Sequence, residues 1–218
     1  MKKKINIIII VCIICTALPS VAQKQIIKPD LSNNTHLQVV NREMTISAND
    51  PGKVIVHLNG KPGDGLAWIN NTTFKSGTIE FDVKGKNIMQ QSFVGVAFHG
   101  LNDSTFDVVY FRPFNFQSPD TARKAHSVQY VSLPQFDWSL LRQDHPGKYE
   151  HALLNPVDAE GWFHAKIVIE NDNIIVYVNK DAKPSLVVKP LSDRTNGKIG
   201  FWVGNNSDGD FANLTITQ

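Results

Sequence analysis

The sequence predicts an all-β fold, a jelly-roll sandwich of two antiparallel sheets with one short helix in a long loop. Three observations predict it. About a dozen apolar or alternating runs follow one another roughly eight to fifteen residues apart, with turn residues between them. No strand–helix–strand alternation interrupts them, which argues against a parallel α/β sheet. Twelve Phe against three Met, with many Val and Ile, favours strands over helices.

Residues 1–22 stand apart from this pattern. Lys2, Lys3 and Lys4 precede an apolar run over residues 5–18, and Ser20, Val21 and Ala22 supply the small side chains of a cut before Gln23. This is the pattern of a secretory signal peptide, and the run is short for a membrane span. Cys12 and Cys15 lie inside the run, preceded by Val11 and Ile14 rather than by the small residue of a lipoprotein signal. The mature chain is therefore expected to be cysteine-free, exported to the periplasm or cell exterior, and not held at a membrane. Removing Lys2, Lys3 and Lys4 from 22 basic residues leaves 19 against 20 acidic ones. A balance so near neutral gives no electrostatic footprint for nucleic acid.

A polar entry over residues 23–36 leads into a single domain over residues 37–218. Residues 37–46 and 53–58 read as strands around a turn at 49–52, and residues 59–65 read as a loop. Residues 66–70 form a short apolar run. Residues 77–83 alternate, with Ile79, Phe81 and Val83 on one face and Thr78, Glu80 and Asp82 on the other. Strands follow at 93–99, 106–112 and 127–131. Residues 113–125 read as a loop with room for one helical turn. The helix is expected at 137–143, where Asp137 supplies an N-cap and Pro146-Gly147 a stop. Strands resume at 163–170, 174–179, 185–189, 198–203 and 211–216, with a hairpin turn at 170–173.

The ending carries a resemblance. Trp162-Phe163-His164-Ala165-Lys166-Ile167-Val168-Ile169 is followed by Ile174-Ile175-Val176-Tyr177-Val178-Asn179, then Gly197-Lys198-Ile199-Gly200-Phe201-Trp202-Val203-Gly204, then Asp210-Phe211-Ala212-Asn213-Leu214-Thr215-Ile216. This resembles the C-terminal half of concanavalin A-like lectin/glucanase domains. More narrowly it resembles the bacterial 3-keto-disaccharide hydrolase domain, often labelled family 16 glycoside hydrolase-like. Residues 74–82 fit the same pattern, so the likeness spans roughly residues 37 to 218. It implies the fold more than an activity, because that superfamily holds lectins, laminin G-like modules and hydrolases.

Period-two counting places Glu80 and Asp82, His99, Tyr110 and Arg112, and Gln129 on non-core faces. If those strands are neighbours, carboxylate, imidazole and guanidinium groups converge on a concave sheet and can hold a saccharide. Gly95 and Ala97 would leave room below His99. The alternative is a set of surface ion pairs on a solvated face. Arg123, Lys124, His126, Trp138, Arg142 and Tyr149 would form a lid from the long segment over residues 115–149, with its Phe and Leu residues as anchors. Trp68 and Trp202 are read as core.

Two activities remain open. The retaining glucanases of the superfamily use Glu-x-Asp-x-Glu on one strand, but the run here is Glu80-Phe81-Asp82-Val83-Lys84, which lacks the second Glu. Chemistry on a 3-keto-glycoside needs only one general base, for which Glu80, His99, His126 or Asp107 would serve. No cofactor is required. The histidines have no zinc-ligand spacing, and residues 205–210 read as a turn with Asp208 and Asp210 as calcium candidates. The expected function is thus saccharide binding, saccharide processing, or an envelope interaction without a sugar.

Overall fold

The computed structural model describes residues 24–50, 52–170 and 172–218, so the signal-peptide reading of residues 1–22 lies outside the described residues. The elements run in the order β1 (Ile26–Ile27), β2 (Leu37–Val40), β3 (Met44–Asp50), β4 (Lys53–Leu58), β5 (Gly65–Phe74), β6 (Gly77–Lys84), β7 (Val94–Asn102) and β8 (Thr105–Phe111). Helices α1 (Pro113–Phe116) and α2 (Thr121–Lys124), strand β9 (Val128–Leu133), helix α3 (Trp138–Asp144) and strand β10 (Glu150–His151) follow. The chain ends with β11 (Phe163–Glu170), β12 (Asn173–Val178), β13 (Leu186–Val188), β14 (Gly197–Val203) and β15 (Gly209–Thr217).

Two antiparallel sheets form. The first has the order β13-β12-β11-β6-β15-β4-β3, with β1 on β15; the second has the order β10-β9-β8-β7-β14-β5-β2. The polar entry therefore joins the fold, as Ile26 and Ile27 pair with Thr217 and Ile216. The run read as one strand over residues 37–46 divides between the sheets. Asn41, at φ 51°, turns the chain from β2 into β3.

The first sheet obeys period two. Ile79, Phe81 and Val83 of β6, and Phe163, Ala165, Ile167 and Ile169 of β11, are buried while their neighbours are partly exposed. They meet the inner face of the second sheet through contacts such as Phe81 on Phe201 and Phe111 on Phe163, with ring centroids 6.4 and 5.1 Å apart. The central strands of the second sheet are buried on both faces: every residue from Val94 to Gly100 and from Phe106 to Phe111 is buried. Residues 113–160 fold across its outer face and account for this.

Helix α3 forms where the sequence places it. The Asp137 carboxylate accepts from the Trp138 backbone N–H at 2.6 Å, the N-cap contact that starts a helix.

Period-two counting fails at one position. His99 sits at φ 50° where the β7–β8 register shifts between Phe98 and Asn102. This bulge takes His99 out of the alternation shared by Gly95 and Ala97. Its Nε2 lies 2.8 Å from the Lys75 carbonyl, its Nδ1 lies 3.3 Å from Asp107, and its ring stacks on Phe74. His99 is thus part of a buried cluster and not of an open surface. Asp107 is also closed off at 1% exposure, and takes Tyr130 Oη at 3.1 Å and Arg194 Nη2 at 2.8 Å.

Candidate functional site

The register of the second sheet builds one row across its outer face: Leu66, Trp202, Gly95, Tyr110, Gln129 and Glu150 lie side by side on β5, β14, β7, β8, β9 and β10. Residues in register share a face. Gly95 stands between Trp202 and Tyr110. Because it has no side chain, the two rings meet above it with centroids 5.1 Å apart. Gly95 therefore makes room for an aromatic contact and not, as expected, for His99. A Cβ there would also collide with the β8 backbone, 2.6 Å from Tyr110 Cα. Gly95→Ala is expected to destabilise the fold by about 1–3 kcal/mol through this overpacking. An unchanged midpoint in urea unfolding would contradict that role.

A polar network lies along the row. Arg112 Nη2 donates to Tyr110 Oη at 2.6 Å and to Gln129 Oε1, and Nη1 donates to the His126 carbonyl at 2.9 Å. The Tyr110 hydroxyl donates to Gln129 Oε1 at 2.8 Å. Burial pushes the Tyr110 pKa up to about 12, with the Arg112 charge pulling it down, so the phenol stays protonated and donates.

Glu150 anchors the network at the sheet edge. It is 3% exposed and accepts from Arg142 Nε and Nη2 at 3.0 and 2.8 Å, a bidentate pair. Arg112 Nη1 lies 3.7 Å away, and His126 Nδ1 lies 2.8 Å away but off the line of a hydrogen bond. Burial alone would raise the Glu150 pKa. The Arg142 hydrogen bonds and the charges of Arg142, His126 and Arg112 outweigh it and hold the carboxyl below its ordinary range. Burial keeps the His126 pKa low. Sequence reasoning missed Glu150. The available signal was a glutamate placed directly after a lid segment that carries Arg123, Lys124, His126, Arg142, His145 and Lys148.

Above this floor is a cavity of about 600 Å³. Trp202, Tyr110, Arg112 and Phe93 form its base. Its walls come from Asp64 before β5, Met89 and Gln90 before β7, Asn205 after β14, Arg123 and His126 around α2, and Asp137, Trp138 and Arg142 of the α3 segment. Trp138 is 46% exposed, with the Arg142 guanidinium 5.2 Å over its ring. Trp202 Nε1 is buried without a hydrogen-bond partner. Asp64 is open at the rim, but the protein packed around its carboxyl raises its pKa; the nearby Trp202 indole and Arg42 pull the other way.

Four of the sequence-predicted ligand residues, Tyr110, Arg112, His126 and Trp138, line this cavity, and Gln129 lies beneath it. Glu80 and Asp82 do not join them. Strand β6 sits between β11 and β15 in the first sheet, so both carboxylates face outward on the opposite side of the molecule. There Asp82 takes His164 Nδ1 at 2.9 Å, Asn213 Nδ2 at 2.8 Å and Lys53 Nζ at 3.3 Å, and Glu80 lies 3.6 Å from His164 Nε2. That is the surface ion-pair arrangement weighed as the alternative. Of the expected lid residues, Tyr149 is a buried anchor packed on Tyr130. Trp68 is core as expected, its Nε1 donating to Asp103 at 2.8 Å. Trp202 is buried like a core residue yet lines the cavity.

The calcium candidates do not fit a metal. Asp208 is paired with Lys86, and Asp210 Oδ1 lies 2.6 Å from His57 Nδ1, so both carboxylates already have cationic or proton-donating partners. Among the described residues, no group of three or more His, Cys, Asp or Glu side chains is placed to hold a metal ion.

No family model and no curated protein sequence matches the chain. Solved structures do match it. The carbohydrate-binding module CBM66 from Bacillus subtilis is 15% identical, with a TM-score of 0.57 over 82% of this chain and 93% of that one. A Bacillus licheniformis β-glucanase is 16% identical, with a TM-score of 0.55 over 91% and 99%. The exoplasmic/lumenal domain of VIP36, in a form bound to Ca2+ and Man3GlcNAc, is 10% identical, with a TM-score of 0.54 over 88% and 86%. At these identities the likeness establishes the fold alone: the chain is an all-β sandwich of two antiparallel sheets, shared with these structures.

Proposed function

We propose that this β-sandwich is an exported saccharide-binding protein that takes a neutral sugar in the cavity on its second sheet. The observation that carries the reading is the cavity's chemistry. Its three arginines, Arg112, Arg142 and Arg123, stand against Glu150, Asp120 and the lining carboxylates Asp64 and Asp137, so no excess of positive charge calls for an anionic ligand. What it offers instead is an exposed indole face at Trp138 beside fixed polar groups. A pyranose or furanose needs that combination, a C–H face for stacking and hydroxyls for hydrogen bonds. Walls on several sides favour a short saccharide or a chain end over the middle of a polymer. Similar folds include a carbohydrate-binding module and the VIP36 domain in its Ca2+/Man3GlcNAc-bound form, which supports the reading. Export rests on Lys2, Lys3 and Lys4 followed by the apolar run.

Titration calorimetry against gluco-, manno-, xylo- and fructo-oligosaccharides tests the proposal. At least one series is expected to bind, equally with and without EDTA. Trp138→Ala is expected to weaken that binding by about tenfold to a hundredfold. Glu80→Ala, on the other sheet, is expected to leave it unchanged. Absence of binding, or full affinity in Trp138→Ala, would overturn the reading.

A further inference from the structure

We propose that the outer face of the first sheet is the interface of a two-fold dimer, its occupant a second copy of this chain. The inference is independent of the saccharide reading, because the cavity lies on the outer face of the other sheet and stays open. The starting point is one row of residues. Ile26, Thr217, Thr78, Val168, Ile175 and Val187 lie side by side on β1, β15, β6, β11, β12 and β13. Residues in register share a face. Their strand neighbours Ile216, Ile79, Ile167 and Val176 are buried in the core, so this row points outward. No charged residue interrupts it, and its two ends are its most exposed members, Ile26 at 64% and Val187 at 55%. Such residues suit strands, but strand propensity does not require an outward row six strands wide without a charge. The flanking rows do carry charge: Tyr177, Lys166, Glu80 and Thr215 on one side, and the Glu170–Asn173 pair on the other.

The symmetry of the row selects its partner. Consider a two-fold axis running along the strands, over the boundary between β6 and β11 and midway between the facing sheets of two copies. It reverses the strand order in the second copy, so that residue i meets j and j meets i. Ile26 then meets the partner's Val187, and the two most exposed members of the row cover each other. Thr217 meets the partner's Ile175, and Thr78 meets the partner's Val168. In the adjacent row the same operation sets Lys166 over the partner's Glu80, twice, because Lys166 and Glu80 flank the axis in register. Among the described residues Lys166 makes no ion pair within its own chain, and Glu80 has His164 Nε2 at 3.6 Å. An apolar centre with complementary charges beside it is the anatomy of an interface that pairs with itself. Six strands about 4.8 Å apart, the central ones eight residues long, give a face roughly 24 Å by 27 Å. That is the scale of the roughly 800 Å² per partner that a stable interface buries.

Sedimentation equilibrium on the full chain, as the cell processes it, tests this. The wild type is expected to show twice the mass of one chain at micromolar concentration. Lys166→Glu sets two carboxylates against each other across the axis, and Glu80→Lys sets two ammonium groups against each other. Each variant is expected to weaken dimerisation by about tenfold or more. An equimolar mixture of the two variants is expected to return to within a few-fold of wild-type affinity, because every contact across the axis then joins opposite charges. That recovery requires both variants to be folded, so it separates a lost interface from a lost fold. A monomeric wild type, a single variant that dimerises at wild-type affinity, or a mixture no stronger than its components overturns the inference.

Discussion

Glu150→Ala is expected to destabilise the protein by about 3–5 kcal/mol and to remove saccharide binding at the cavity. The magnitude is that of breaking a buried ion pair by deleting one partner. Arg112 is 4% exposed and would lose the Glu150 carboxylate 3.7 Å away, while Arg142 would lose its two hydrogen bonds to Glu150. The functional loss follows from position. Arg142 belongs to α3, and its bond to β10 ties the helix carrying Trp138 to the sheet edge. Without that tie the indole wall loses its fixed place over the cavity. Glu150→Gln keeps the shape and one acceptor, so it is expected to fall between wild type and alanine in both readouts.

The pH dependence has a definite sign. Glu150 has a folded pKa below its unfolded value, so its contribution is complete above about pH 4.3 and is lost as pH falls through the folded value. His126 has a lowered folded pKa as well, so its contribution is present above about pH 6.5 and declines as pH falls. Both place the loss on the acid side. Urea unfolding from pH 7 down to pH 3 measures it, and the slope is expected to flatten in Glu150→Gln. A Glu150→Ala variant within about 1 kcal/mol of wild type at pH 7 would contradict the role given to this residue.

Asp107→Ala is the second large effect, again about 3–5 kcal/mol, with no change in the saccharides recognised. Asp107 lies in a buried cluster where Tyr130, Arg194, Ser192 and His99 converge on one carboxylate. Burial would raise its pKa, but the His99 and Ser132 hydrogen bonds and the Arg194 charge hold it below the ordinary range. Its stabilisation is therefore also lost as pH falls through the folded value. The cluster also fixes the segment carrying Ser192 and Arg194 against β9, because Arg194 Nη2 donates to Ser132 Oγ at 2.7 Å and Leu191 N donates to Tyr130 Oη at 3.2 Å. Asp107→Asn keeps the volume and isolates the charge term. Calorimetric unfolding together with oligosaccharide binding separates the outcomes: altered sugar selectivity in a folded Asp107 variant would show that the cluster reaches the site.

The sequence by itself determined most of the strands, though not β1, β10 or the break between β2 and β3. Alternation such as Ile79, Phe81 and Val83 against Thr78, Glu80 and Asp82 leaves one face that must leave water, and a sandwich buries such faces. It also determined α3, because Asp137 supplies the acceptor that an N-terminal turn lacks. Tyr110, Arg112 and Gln129 were legible as a group because β8 and β9 are consecutive in sequence and also neighbours in the sheet.

Only the tertiary structure decided the rest. Period two says which residues share a face of a strand but not which strands lie side by side, because every strand offers the same backbone donors and acceptors. That is why Glu80 and Asp82 could be counted with Arg112 although β6 pairs with β11 and β15 across the sandwich. The bulge at His99 depends on one residue entering the left-handed region, which no apolar pattern records. Gly95 has its use through Trp202, a residue more than a hundred positions later, and Glu150 through a two-residue strand closing the sheet edge. Each of these is a long-range coincidence of backbone paths, and the cavity exists where those paths cross.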